Sequence, residues 1–185
     1  EVQLGVPSGA TSGANQAVAV TILDDDPLPV VSFIQGPLAV SEGAGEVQLT
    51  VQLDAASGLE VVVELQTQGS LTLGVDGTLS ANQVIVPAGA VQGSVQLSLV
   101  DDAIDEPEEQ LLVTAISAQG ASLGTPATLE VRVQDDDPVP SVQFEVAAAS
   151  VPEGAGTAEV RALLSGASSQ EIRVPLGSSG GALPG

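Results

Sequence analysis

The side chains best equipped for chemistry in this chain are carboxylates, gathered into four groups. These are Ser41-Glu42-Gly43, Gly74-Val75-Asp76-Gly77, the run Asp101-Asp102-Ala103-Ile104-Asp105-Glu106-Pro107-Glu108-Glu109, and Asp135-Asp136-Asp137. Across the chain 24 acidic residues face three basic ones, Arg132, Arg161 and Arg173, for a net charge of -21. Histidine and cysteine are absent, which excludes imidazole and thiolate ligands, disulfides, thiol nucleophiles and the usual general base. Any metal must therefore be a hard ion held by oxygen. Two bare carboxylates about 4 Å apart repel by roughly 4 kcal/mol at an effective dielectric near 20, so a convergent cluster is hard to hold unless a cation is bound. Calcium fits this chemistry: it accepts about six to eight oxygens in a tolerant geometry, whereas magnesium demands a rigid octahedron and keeps its waters. So many carboxylates around one ion would leave a large negative excess, which leads us to expect at least two neighbouring sites.

The elements that must position these groups are strands. Val47, Leu49, Val51 and Leu53 alternate with Glu46, Gln48, Thr50 and Gln52, the period-two pattern of a half-buried antiparallel strand. The same alternation runs through Val61, Val63 and Leu65, through Val95, Leu97 and Leu99, and through Leu129, Val131 and Val133. Further strands are predicted near Val30 to Ile34, Gln83 to Val86 and Leu111 to Ile116. About seven strands punctuated by Gly, Pro, Asp and Ser predict an all-β fold of immunoglobulin-like antiparallel β-sandwich modules. Such a sandwich can bring its inter-strand loops, and with them the carboxylates, to one end. Phe33 and Phe144, the two aromatic residues of the chain, are expected to anchor the core from the first strand.

A repeat sets the organisation. Asp24-Asp25-Asp26-Pro27 recurs as Asp135-Asp136-Asp137-Pro138, a spacing of 111 residues. Phe33 then matches Phe144, Val40 matches Val151, and Glu42-Gly43-Ala44-Gly45 matches Glu153-Gly154-Ala155-Gly156. The chain is expected to hold the C-terminal strands of one module (1–27), a complete module (28–137) and the N-terminal strands of a third (138–185). Units of this length suit a tandem array of separate sandwiches rather than a solenoid. Pro27-Leu28-Pro29 and Pro138-Val139-Pro140 stiffen the joints.

The order of an early Glu-Gly pair, an Asp after Gly-Val, an Asp-Asp leading into an acidic run, and a closing Asp-Asp-Asp resembles the Calx-beta domain, over the complete module and both partial ones. That family occurs in the regulatory loop of sodium/calcium exchangers, in integrin β4 and in large bacterial surface and matrix proteins. By position, the resemblance implies calcium ligands at Glu42, Asp76, Asp101, Asp102, the main-chain carbonyl of Ile104, Glu106, Asp135, Asp136 and Asp137, with Glu109 as a structural acid. The sequence departs from the family pattern at Gly77, where an aromatic residue is usual.

Each group also has a plainer reading. Glu42-Gly43 is also a turn with a solvated carboxylate, and Asp76 is a good turn residue. The 101–109 run also suits a solvated loop, and Asp135 to Asp137 a charged linker. The four groups together, in this order, favour the metal site. The charge argues against nucleic acid and against an anionic membrane, and no apolar run is long enough for direct membrane insertion. No signal peptide opens the chain, so export is inferred by other means. A carboxylate-based glycosidase is disfavoured because no Trp or Tyr is present to stack sugars, and the expectation is that the protein is not an enzyme. The resemblance and the tandem spacing lead to a calcium-binding structural repeat of a secreted or cell-surface bacterial adhesin or extracellular filament, with calcium rigidifying the module end near the joint. A calcium-sensing regulatory module that signals through inter-domain angle is the alternative. Expected partners are neighbouring modules of the same chain, with strand donation between copies in a fibre as a further route.

Overall fold

The computed structural model describes residues 1–180. In chain order the strands are β1 (Val2–Gln3), β2 (Ala17–Val18), β3 (Val30–Phe33), β4 (Leu38–Ser41), β5 (Glu46–Leu53), β6 (Val61–Gly69), β7 (Gly77–Leu79) and β8 (Gln83–Val86). There follow β9 (Gln92–Leu99), β10 (Ile104–Asp105), β11 (Glu109–Gln119), β12 (Ser122–Leu123), β13 (Thr128–Gln134), β14 (Val142–Phe144), β15 (Ala162–Leu164) and β16 (Ala167–Ser168). Single 3-10 turns form at Glu42–Ala44 and Glu153–Ala155.

Two five-stranded sheets, ordered β4-β13-β11-β6-β8 and β12-β3-β5-β9-β7, face each other as an immunoglobulin-like sandwich between residues 30 and 134. Alternation decides what lies between them. Leu49, Val51 and Leu53 of β5, Val61 and Val63 of β6, Leu97 of β9, Val113 of β11 and Val131 of β13 are nearly sealed from solvent. Their polar neighbours Gln48, Gln52, Gln92 and Gln96 lie on the outer face, where Gln48 Nε2 reaches Ser94 Oγ at 2.8 Å and Gln96 Nε2 reaches Glu46 Oε2 at 2.6 Å. Each buried Val or Leu stabilises the fold by about 1.5–3 kcal/mol relative to exposure.

Within these two sheets the pairing is antiparallel except at two edges, where β4 lies parallel to β13 and β12 parallel to β3. The β4 edge matters for the site. It sets Ser41 against Gln134 in register, so the Glu42 turn and the Asp135 to Asp137 segment leave the sheet side by side. Phe33 is 2% exposed in the core, whereas Phe144 is 53% exposed. The expectation of a core anchor fails at Phe144, because β14 pairs only with β15 and no second sheet covers that hairpin among the described residues.

Candidate metal centre

Four strand ends deliver the carboxylates to one end of the sandwich. Ser41, at the end of β4, caps the 3-10 turn: its Oγ accepts from Gly43 N at 3.2 Å and donates to Asp136 Oδ2 at 2.7 Å. That hydroxyl ties the first acidic group to the last. Glu42 then turns inward and is 7% exposed. Its Oε1 and Asp137 Oδ2 are closed off from solvent without a hydrogen-bond partner. Gly43 permits the close approach, since a Cβ there would sit 3.1 Å from Asp136 Oδ2 and 3.7 Å from Asp101 Oδ2.

Glu42 is shared by two sets of three carboxylates, Glu42, Asp135 and Asp137 on one side and Glu42, Asp101 and Asp136 on the other. Within each set one oxygen per residue lies within 4.8 Å of the others. Asp102 and Asp135 also engage the backbone of the acidic run: Ile104 N donates to Asp102 Oδ1 at 2.7 Å, and Glu106 N donates to Asp135 Oδ2 at 3.1 Å. Asp137 N donates to Asp135 Oδ1 at 3.3 Å. Ile104 itself is half-buried in β10.

Asp76 and Glu106 border an acidic recess together with Glu42, Asp102, Glu109 and Asp135. Asp76 does double service there, because its Oδ2 also accepts from Thr72 N at 2.8 Å and so closes the 72–76 turn. The departure at Gly77 has a steric cause. A Cβ at that position would come within 2.9 Å of Ser98 O and 3.6 Å of Leu99 Cδ2, leaving no place for an aromatic side chain. The structure therefore brings together Glu42, Asp101, Asp135, Asp136 and Asp137 as two potential ligand sets, and places Asp76, Asp102, Ile104 and Glu106 around them.

The electrostatics are those of a site built for positive charge. Burial, then the charges of Asp135, Asp137 and Asp102, push the Glu42 carboxyl above its usual range against the opposing pull of the Asp102 backbone N–H. Desolvation and the charges of Asp135, Asp102, Asp136 and Asp101 raise Asp137. Glu109 is raised to about 7 by burial and by Asp76, Glu106 and Glu42. The salt bridges among the described residues lie elsewhere: Arg132 meets Glu130 and Glu108, Arg161 meets Glu159, and Arg173 meets Glu171. Orphaned buried carboxylate oxygens and an all-oxygen donor set fit a hard divalent cation.

Sequence reasoning missed Asp105. It reads as one more member of the acidic run, yet it is 6% exposed and its Oδ2 accepts from Ser168 Oγ at 2.7 Å. No local signal marked it, since alternation with the apolar Ile104 would turn Asp105 outward.

An immunoglobulin-like sandwich with clustered carboxylates at one end defines the class of the protein. The sequence model of the Calx-beta domain matches residues 24–137 and again 135–182, so the chain belongs to the Calx-beta family. Among whole proteins it is similar to sodium/calcium exchanger 1 of Rattus norvegicus, with 27% identity over 178 residues covering 85% of this chain and 18% of the exchanger. The exchanger 1 of Felis catus matches over the same shares at 26% identity. The chain thus spans under a fifth of the length of these relatives. Among solved structures, CBD12 from CALX1.2 matches with a TM-score of 0.54 at 24% identity, over 63% of this chain and 48% of that one. The apo-form Calx CBD1 domain matches with a TM-score of 0.52 at 23% identity, over 60% of this chain and all of that one (100%). These structural likenesses establish the fold.

Proposed function

We propose that module 28–137 binds calcium at its acidic end and that the protein is a calcium-stabilised structural repeat, not an enzyme. The observation that carries the calcium reading is Glu42, a buried carboxylate with an orphaned oxygen shared by two carboxylate triads. Family membership and the similarity to sodium/calcium exchangers support the same ion. Glu42, Asp101, Asp135, Asp136 and Asp137 would hold it, with Asp76, Asp102, Glu106 and the Ile104 carbonyl within the surrounding loops. Bound calcium supplies the positive charge that offsets carboxylate repulsion. Ser41 orients Asp136, the Glu106 amide orients Asp135, and Gly43 leaves room for Asp136 and Asp101. Because the site joins the β4 end, the 101–109 loop and the last residues before Pro138, holding these segments together stiffens the module where it meets the following one.

The structural role, in a secreted or cell-surface adhesin or filament, is supported by the repeat at 111 residues and by the proline joints. A second reading, a calcium-sensing module that signals through inter-domain angle, is favoured by the relationship to exchangers. The non-enzymatic reading is supported by a sequence without His, Cys, Trp or Tyr. Isothermal titration calorimetry tests the metal site and separates the two roles. Calcium binding that Glu42→Gln weakens about tenfold or more supports the site, and absence of a calcium heat refutes it. A micromolar dissociation constant favours the sensor, a weaker one the stalk.

A further inference from the structure

The acidic end carries a second feature that calcium does not explain. β10 pairs in parallel with β16, matching Ile104 with Ala167 and Asp105 with Ser168. Ser168 Oγ donates to Asp105 Oδ2 at 2.7 Å, with the Asp105 carbonyl at 3.2 Å, and Ser169 N donates to that carbonyl at 3.0 Å. A buried carboxylate of one module is thus satisfied by a turn belonging to the next repeat.

The turn is itself repeated. Ala167-Ser168 stands 111 residues after Ala56-Ser57. Ser57 Oγ accepts from Leu59 N at 3.1 Å, and Ser168 Oγ accepts from Gln170 N at 3.1 Å, so both hydroxyls keep their proton for an outside acceptor. The chain path puts these turns where a following module must arrive. β5 starts beside the Glu42 turn and runs away from it, so the turn after Leu53 lies at the end of the sandwich opposite the carboxylates. The entry to the module lies there too, with Val30 N donating to Asp54 Oδ1 at 2.7 Å and Asp54 N to Val30 O at 3.0 Å. The next repeat reproduces this entry: Ser141 N donates to Ser165 Oγ at 2.8 Å and Ser165 N to Ser141 O at 2.9 Å.

We propose that Asp105 and the Ala167-Ser168 turn form a head-to-tail docking contact, in which the acidic end of one module receives the entry-side turn of the next. Ser57 presents the matching donor at the opposite end of module 28–137. The contact fixes module orientation by a short parallel ladder and one charge-assisted hydrogen bond. It goes beyond the calcium reading and does not depend on it.

Amide hydrogen exchange of the 185-residue chain, read at Ser169 by NMR in calcium and in chelator, tests the contact. The expected result is clear protection of Ser169 in the wild type, a loss of roughly tenfold or more in Ser168→Ala, and recovery in Ser168→Thr, which keeps the hydroxyl. Core amides such as that of Leu97 should be unchanged in both variants and so report that the module is folded. Exchange of Ser169 at the unprotected rate in the wild type, or equal protection in Ser168→Ala, overturns the proposal. Failure of calcium binding with Ser169 still protected would sink the metal reading alone.

Discussion

The hairpin that opens module 28–137 and the one that follows Pro138 have the same register and different fates. Val31 pairs with Leu53 and Phe33 with Val51; Val142 pairs with Leu164 and Phe144 with Ala162, each shifted by the repeat length. Ile34 N donates to Thr50 O at 3.3 Å and Glu145 N to Arg161 O at 2.9 Å. The 3-10 turn at Glu42–Ala44 recurs at Glu153–Ala155. Yet Leu53 is 1% exposed and Leu164 is 47% exposed. Hairpin and turn arise from local sequence, whereas burial and carboxylate convergence require the facing sheet and the loops that it carries.

The largest expected break in this symmetry is at the paired phenylalanines. Phe33→Ala should destabilise the module by about 3–5 kcal/mol, while Phe144→Ala should cost less than about 1 kcal/mol, both read by urea unfolding. Equal losses would mean that the second hairpin is packed as well as the first.

Glu42→Gln should separate fold from site. Removing the buried charge is expected to raise the melting temperature of the calcium-free chain by a few degrees and to abolish most of the rise that calcium gives the wild type, as calorimetry would show. A variant less stable than wild type in chelator would contradict the repulsion argument.

Proton binding offers a graded version of the same test. Glu42, Asp137 and Glu109 are all raised, with Glu109 moved from 4.5 to about 7. Across that window the folded calcium-free chain binds more protons than the unfolded chain, so its stability falls as pH rises. Glu130 is lowered by Arg132 and acts with the opposite sign, but below its usual range. Denaturant melts in chelator should show higher stability at pH 5.5 than at pH 7.5, with calcium removing most of the difference.

The smallest effect expected is at two equivalent glycines. Gly43→Ala places a methyl against Asp136 and should weaken calcium binding several-fold with little change in chelator, whereas a Cβ at Gly154 meets nothing within 4 Å and Gly154→Ala should change neither reading.

The sandwich was legible where alternation was long, as in β5, β6, β9 and β13. It was not legible in β4, β7, β10 and β12, which have two to four residues and are defined by their partners more than by their own sequence. The parallel placement of β4 beside β13, which brings Glu42 to Asp135, left no local trace. The acidic groups themselves stood out through recurrence and loop position. Which oxygens would be orphaned did not, because that depends on how Ser41, Gly43 and the Asp102 amide surround Glu42. Asp105 was hidden for the same reason: its partner Ser168 is 63 residues away.

Thermal unfolding of the full chain in excess calcium, in excess magnesium and in chelator is the most direct test of an acidic end held together by a divalent ion. Melting temperature should fall steeply in chelator, a loss reversed by calcium and only weakly by magnesium. Superimposable curves in all three conditions would contradict it.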